Sequence, residues 1–178
     1  MRRVGLLSAA LLSGCTGTRL NDFERALAAQ DSATAALGEW CRMRAIARPA
    51  MIRAERLGGS PEASAEVRRL LGVSSTEPVA YRHVRLACGA AVLSEADNWY
   101  VPGRLTPEMN LLLASTDTPF GKLAAPLGFK RERLEESRGR AGDCPAGTVL
   151  SHRALLRLPD GSPLSLVTEC YTRANLAR

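Results

Sequence analysis

The chain has 178 residues, enough for one domain with a proper core, and its 46% hydrophobic and 24% charged content excludes disorder over most of its length. The formal net charge of +6 is nearly all arginine, spread thinly from Arg19 to Arg178, and aromatic residues make up only 4%. Nucleic-acid binding, which calls for clustered basic residues interleaved with aromatics, is therefore not expected, whereas a modestly basic protein favours an anionic small molecule.

Met1-Arg2-Arg3 gives a positive start, Val4 to Leu12 carries no charge, and Leu12-Ser13-Gly14-Cys15 closes the run. That order of regions reads as a secretory leader over residues 1–14, too short to span a bilayer as a permanent helix. Leu-Ser-Gly-Cys also resembles the bacterial lipobox, in which small residues admit the backbone to a peptidase and the cysteine thiol takes a diacylglycerol. The expectation is a lipidated Cys15 that anchors the protein to the membrane on the periplasmic side of the envelope. A mis-assigned start is the alternative, and would leave the protein cytoplasmic.

Cys41, Cys88, Cys144 and Cys170 remain once Cys15 is set aside. An exported protein could join them into two disulfides by any of three pairings; otherwise they are small buried apolar residues. None forms a Cys-x-x-Cys pair, and His83 and His152 are too scattered to complete a zinc site, so no metal is expected.

Residues 15–24 read as a polar tether and 25–178 as a single domain. Asp31-Ser32 is an N-cap candidate ahead of good helix formers from Ala33 to Cys41. Met51 to Leu57 alternates like a strand and stops at Gly58-Gly59. Pro61 to Leu71 predicts a short helix capped by Ser60 and ended by Gly72. Val79 to Ala87 and Ala91 to Val101 form a hairpin about Cys88-Gly89-Ala90. Thr106-Pro107-Glu108 opens a helix to about Ser115, and Thr118-Pro119-Phe120-Gly121 opens a shorter one. Gly128 to Glu136 is a strand candidate, Ser137 to Gly147 a loop, and Val149 to Leu158 and Pro163 to Arg173 are strands joined by a Pro-Asp-Gly-Ser turn. Hairpins with helices inserted between them predict an α+β fold, an antiparallel sheet with helices packed on one face.

Two charges fall on strand faces that should be apolar. Arg82 shares a side with Ala80, Val84, Leu86 and Cys88; Glu169 shares one with Ser165, Val167 and Tyr171. An unpaired buried charge costs several kcal/mol, so each needs a partner. They either pair with each other or meet water at a strand end, or they line a pocket where arginine forks onto a carboxylate ligand and glutamate handles a proton.

In these stretches the chain resembles the chorismate lyases, which split chorismate into 4-hydroxybenzoate and pyruvate. The resemblance runs from about Asp31 to Leu176. It rests on Asp31-Ser32-Ala33-Thr34, Met51-Ile52-Arg53, Arg82-His83-Val84-Arg85-Leu86, Val101-Pro102, Thr118-Pro119-Phe120-Gly121, Gly161-Ser162-Pro163 and Leu166-Val167-Thr168-Glu169, in that order. It implies a six-stranded antiparallel sheet with a ligand enclosed beneath helical flaps, a fold shared with effector-sensing domains of transcription regulators. It further implies that Arg82 holds a carboxylate and Glu169 assists the elimination. The backbone at Phe120 would contact ligand oxygens, Ala33 would stand where the family has a methionine over the ligand, and Arg153 would belong to a basic pair with His152. No metal or organic cofactor is needed for such an elimination. The expected partner is a chorismate-like carboxylate, and the expected state a monomer. Phe120 is bulkier than the family's leucine, and Leu93 to Tyr100 is more polar than its usual run. Glu95, Asp97, Asn98 and Trp99 are there either ligand contacts or a solvated face with one buried Trp. A non-catalytic lipoprotein that binds an aromatic or cyclic carboxylate is the alternative to a lyase.

Overall fold

The computed structural model of the chain describes residues 13–177, with side chains from Gly17 onward. Its helices are α1 (Ser13–Ala28), α2 (Ala33–Met43), α3 (Ala65–Leu71), α4 (Pro107–Ser115) and α5 (Phe120–Leu123). Its strands are β1 (Ile52–Arg56), β2 (Ala80–Cys88), β3 (Ala91–Tyr100), β4 (Lys130–Arg138), β5 (Thr148–Arg157) and β6 (Pro163–Thr172). All six strands join one sheet in the order β1-β2-β3-β6-β5-β4, and every neighbouring pair is antiparallel. The expected α+β class and six-stranded antiparallel sheet are what the chain adopts.

Local chemistry sets most boundaries. Ser32 caps α2 by accepting from the Ala35 amide at 3.3 Å, and Thr106 caps α4 through Met109 at 3.1 Å with Pro107 in the first turn. The third helix begins later than expected, at Ala65, and Ser64 rather than Ser60 is its cap, accepting from Val67 at 3.2 Å. Residues 61–64 offer little to bury, whereas Val67 and Leu71, one turn apart, both dock into the core. The stretch 15–24, expected as a tether, is helical in α1, because Phe23 and Leu27 also lie one turn apart and are buried against Leu37, Trp40 and Tyr171. Residues 1–12 of the expected leader and the side chain of Cys15 lie outside the described residues.

The main core lies on one sheet face. There α1 and α2 cover Val84, Leu86, Ala96, Leu150 and Tyr171, while α4 and α5 cover Tyr100 and Leu156. The short α3 crosses to the other face, where Val67 and Leu71 pack on Leu155 and Leu166. Two disulfides settle the pairing left open by spacing. Cys41–Cys88 ties α2 to β2, with Cα atoms 6.4 Å apart, and Cys144–Cys170 ties the loop before β5 to β6, at 5.5 Å. Edge strand β4 reads Lys-Arg-Glu-Arg-Leu-Glu-Glu-Ser-Arg, a charged edge that discourages pairing with another chain. Among the described residues no helix is long and apolar enough to cross a membrane.

Candidate functional site

Strand register brings the two buried charges to one place. Arg82 pairs with Asn98 and Asn98 with Val167; one pleat along, Val84 pairs with Ala96 and Ala96 with Glu169. Side chains two residues apart on a strand share a face, so Arg82, Asn98 and Glu169 all rise toward the helical layer. They line a hollow of about 50 Å³ whose roof is the start of α2 (Ser32, Ala33, Thr34) and of α5 (Phe120, Gly121).

Glu169 is fully engaged. Its Oε1 accepts from Arg131 Nη1 at 3.3 Å, and its Oε2 accepts from Arg131 Nη2 and, at 2.9 Å, from the Tyr171 hydroxyl. Both partners of the ion pair are buried, with side-chain exposures of 8% and 6%. Burial opposes the charge of Arg131, but the facing Glu169 more than offsets it, and the guanidinium is held above the ordinary arginine range. Burial and the same carboxylate push the Tyr171 hydroxyl well up, so it stays a donor. Asp31 anchors the outer edge, accepting from Lys130 Nζ at 2.9 Å and the Arg131 amide at 3.1 Å. Those bonds hold its carboxyl below the usual aspartate value.

Arg82 is in the opposite condition. It is 7% exposed, and among the described residues it donates to the Thr118 carbonyl alone, at 3.3 and 3.5 Å, while its buried Nε has no partner. Burial lowers its pKa, and the charged group that adds most to that is a second cation, Arg56. Beside it, Asn98 accepts from the Ser165 hydroxyl, which leaves its amide N–H groups as donors for a ligand. The hollow therefore holds one satisfied ion pair and one cation without a counter-ion.

Of the residues singled out from sequence, Arg82, Glu169, Phe120 and Ala33 meet around this hollow. Arg82 and Glu169 do not pair with each other, because Arg131 claims the carboxylate. Arg153 is not brought to the hollow. It faces the opposite side of the sheet, where it binds Glu66 at 2.8 Å and Glu135 at 3.3 Å. Its neighbour His152 does lie on the hollow's face, edge-on to Tyr171 and 3.2 Å from Glu136, and burial first of all lowers its pKa. The polar run of β3 divides by parity. Asn98 joins the hollow, while Glu95, Asp97 and Trp99 line an open cleft of about 660 Å³ on the other face. There Glu95 bonds His83 and Arg85, each at 3.1 Å, Asp97 accepts from the Tyr81 hydroxyl, and Trp99 packs on Tyr81. Sequence reasoning missed Arg131, and it read Asp31 as a helix-cap candidate rather than as the partner of Lys130 and Arg131. Arg131 sits in an edge strand without apolar periodicity, and no pattern marks one of its four arginines and lysines as buried. Among the described residues no cluster could hold a metal ion.

The chain has the chorismate-lyase-like fold of the effector domains of GntR-family regulators. It superposes on the effector domain of PhnF from Mycobacterium smegmatis with a TM-score of 0.52 at 12% identity, over 68% of this chain and 80% of that one. It superposes on a GntR-family transcriptional regulator from Enterococcus faecalis at 0.51 and 11% identity, over 70% and 96%. For the possible transcriptional regulator YydK of Bacillus subtilis the values are 0.50 and 14%, over 70% of this chain but only 58% of that one. The chain thus spans little more than half of that regulator. No family profile matches the sequence. By sequence, the chain belongs to the same family as the uncharacterized protein y4mC of Sinorhizobium fredii, to which it is 42% identical over 161 residues, covering 79% of this chain and 68% of that protein.

Proposed function

We propose that this protein is a binding module for a small organic carboxylate, held by Arg82 beneath the flaps formed by the starts of α2 and α5. The observation that carries the reading is the buried guanidinium of Arg82, which among the described residues has an unpaired Nε and no carboxylate partner. A ligand carboxylate would supply two charge-assisted hydrogen bonds, each worth about 1.5–3 kcal/mol, to a group otherwise left short. Asn98 adds neutral donors, and Phe120 and Ala33 supply apolar walls. PhnF's effector domain has the same fold, which accords with small-molecule sensing. Thermal-shift and calorimetric titration with benzoate, 4-hydroxybenzoate and chorismate test the reading. Arg82→Met should abolish stabilisation by any acid that raises the melting temperature of the native protein. A ligand bound equally well by Arg82→Met overturns it.

Elimination of pyruvate from chorismate is the second reading, favoured because Arg82 and Glu169 line one hollow. It requires Glu169 to loosen from Arg131 and Tyr171 when substrate enters, since both its oxygens are engaged. Incubation with chorismate, followed by absorbance of the aromatic product, decides it. A lyase forms product above the uncatalysed rate and loses it in Glu169→Gln; a binder forms none.

The location proposed is the periplasmic face of the envelope, through a lipid on Cys15 after removal of residues 1–14. Two disulfides, which persist in oxidising compartments, accord with it. Native protein expressed with its leader should enter the detergent phase of a Triton X-114 extraction, and Cys15→Ser should remain in the aqueous phase.

A further inference from the structure

Building on the carboxylate reading, we infer that the cognate ligand is a carboxylic acid with an extended apolar tail, and that the tail lies in the groove between α2, β1 and α5. The argument begins with size. The Arg82 hollow encloses about 50 Å³, enough for about three to five water-sized groups: a carboxylate and one or two carbons. Anything larger held at Arg82 must continue elsewhere. The adjoining space is a groove of about 340 Å³, within the usual range for ligand sites, walled by Ala35, Gly38, Met51, Ile52 and Ala125 together with one cation, Lys122. Its surface is mostly apolar, and Met51 is 50% exposed along it.

The two spaces share Ser32, Thr34 and Gly121 as a common wall. At that wall the starts of α2 and α5 approach each other closely. A Cβ placed on Gly121 would stand 2.4 Å from Ser32 Oγ and 2.9 Å from Thr34 Oγ1. Gly121 does not have a left-handed backbone, so what its missing side chain permits is this close approach. Thr34, whose hydroxyl has no hydrogen bond among the described residues, would turn aside to connect the Arg82 hollow with the groove, while Ser32 keeps its place as the cap of α2. The anionic head is then fixed by Arg82, and the tail covers apolar surface that none of the described residues covers.

The test is calorimetric titration of the whole chain with propionate, hexanoate and octanoate. If each added methylene leaves water, affinity rises roughly fourfold per carbon from propionate to octanoate. Gly38→Leu plugs the groove. Its first added carbon meets Ile52 Cγ1 at 3.8 Å, an ordinary contact, and leucine favours the helix over glycine, so the substitution is compatible with α2. It should weaken octanoate at least tenfold and leave propionate unchanged, whereas Arg82→Met should weaken all three acids. Affinity independent of chain length, or octanoate binding untouched by Gly38→Leu, overturns the tail while the carboxylate reading stands. Binding of all three acids untouched by Arg82→Met overturns both.

Discussion

A guanidinium taken out of water without a carboxylate beside it is a standing cost to the fold, and Arg82 carries that cost. Replacing a buried, poorly satisfied charge by an apolar side chain of similar length is commonly neutral or stabilising. Arg82→Met should therefore melt at or above the native temperature while losing carboxylate binding, a combination that separates a ligand-binding arginine from a structural one. Glu169→Gln should behave in the reverse sense. It leaves Arg131, with its side chain 8% exposed, facing a neutral amide, and breaking a buried pair from one side costs about 3–5 kcal/mol. Denaturant melts of the two variants measure both effects. His152 makes a third residue-scale prediction. Burial depresses its pKa below the ordinary 6.5, so the unfolded chain binds the proton more readily than the folded one. The stability it contributes is complete above pH 6.5 and is lost as pH falls through the folded value. His152→Gln should flatten that part of a pH–melting curve; a slope below pH 6.5 equal to that of the native protein would show that His152 does not cause it.

At the scale of elements, the site is a meeting of helix starts with a sheet face. α2 is held over the sheet at both ends. Asp31, just ahead of its start, accepts from Lys130 Nζ and the Arg131 amide on β4, and Trp40 Nε1 near its end donates to the Asn175 carbonyl at 3.2 Å, while Asn175 itself donates to Leu93 at 2.6 Å. Cys41–Cys88 fastens the same helix to the strand that carries Arg82. The two bridges span 47 and 26 residues, and loop-closure entropy gives about 4 and 3.5 kcal/mol for loops of these sizes. Replacing Cys41 and Cys88 together by alanine should cost slightly more in a denaturant melt than replacing Cys144 and Cys170. It should also weaken carboxylate binding, since the flap over Arg82 loses its covalent tie. The second pair clamps a loop on the far side of the sheet, and its loss should leave binding intact. Equal losses of binding from both pairs would remove the special standing given to α2.

For the whole molecule, the sheet acts as a partition. One face is roofed by α1, α2, α4 and α5 and holds the small hollow; among the described residues the other is covered at one end by α3 and keeps the open cleft. Parity along each strand therefore decides which charges are buried and which meet water. Alternation made this legible for Arg82 and Glu169, whose neighbours at two-residue spacing are apolar. It was not legible for Arg131, which sits among charges on both sides, nor for the choice of Ser64 over Ser60 as a helix cap, where tertiary docking of Val67 and Leu71 chose between two acceptable serines.

Local signals alone determined the α+β class, the six strands in nearly their observed bounds, and two charges lying on faces meant for the core, because periodicity and capping act over a few residues. Only the tertiary structure decided that Arg131 takes the Glu169 carboxylate and leaves Arg82 without one, that Arg153 turns to the other face, and how four cysteines pair. Those outcomes depend on which strands become neighbours, and the order β1-β2-β3-β6-β5-β4 brings together residues far apart in the chain, where no local pattern reaches.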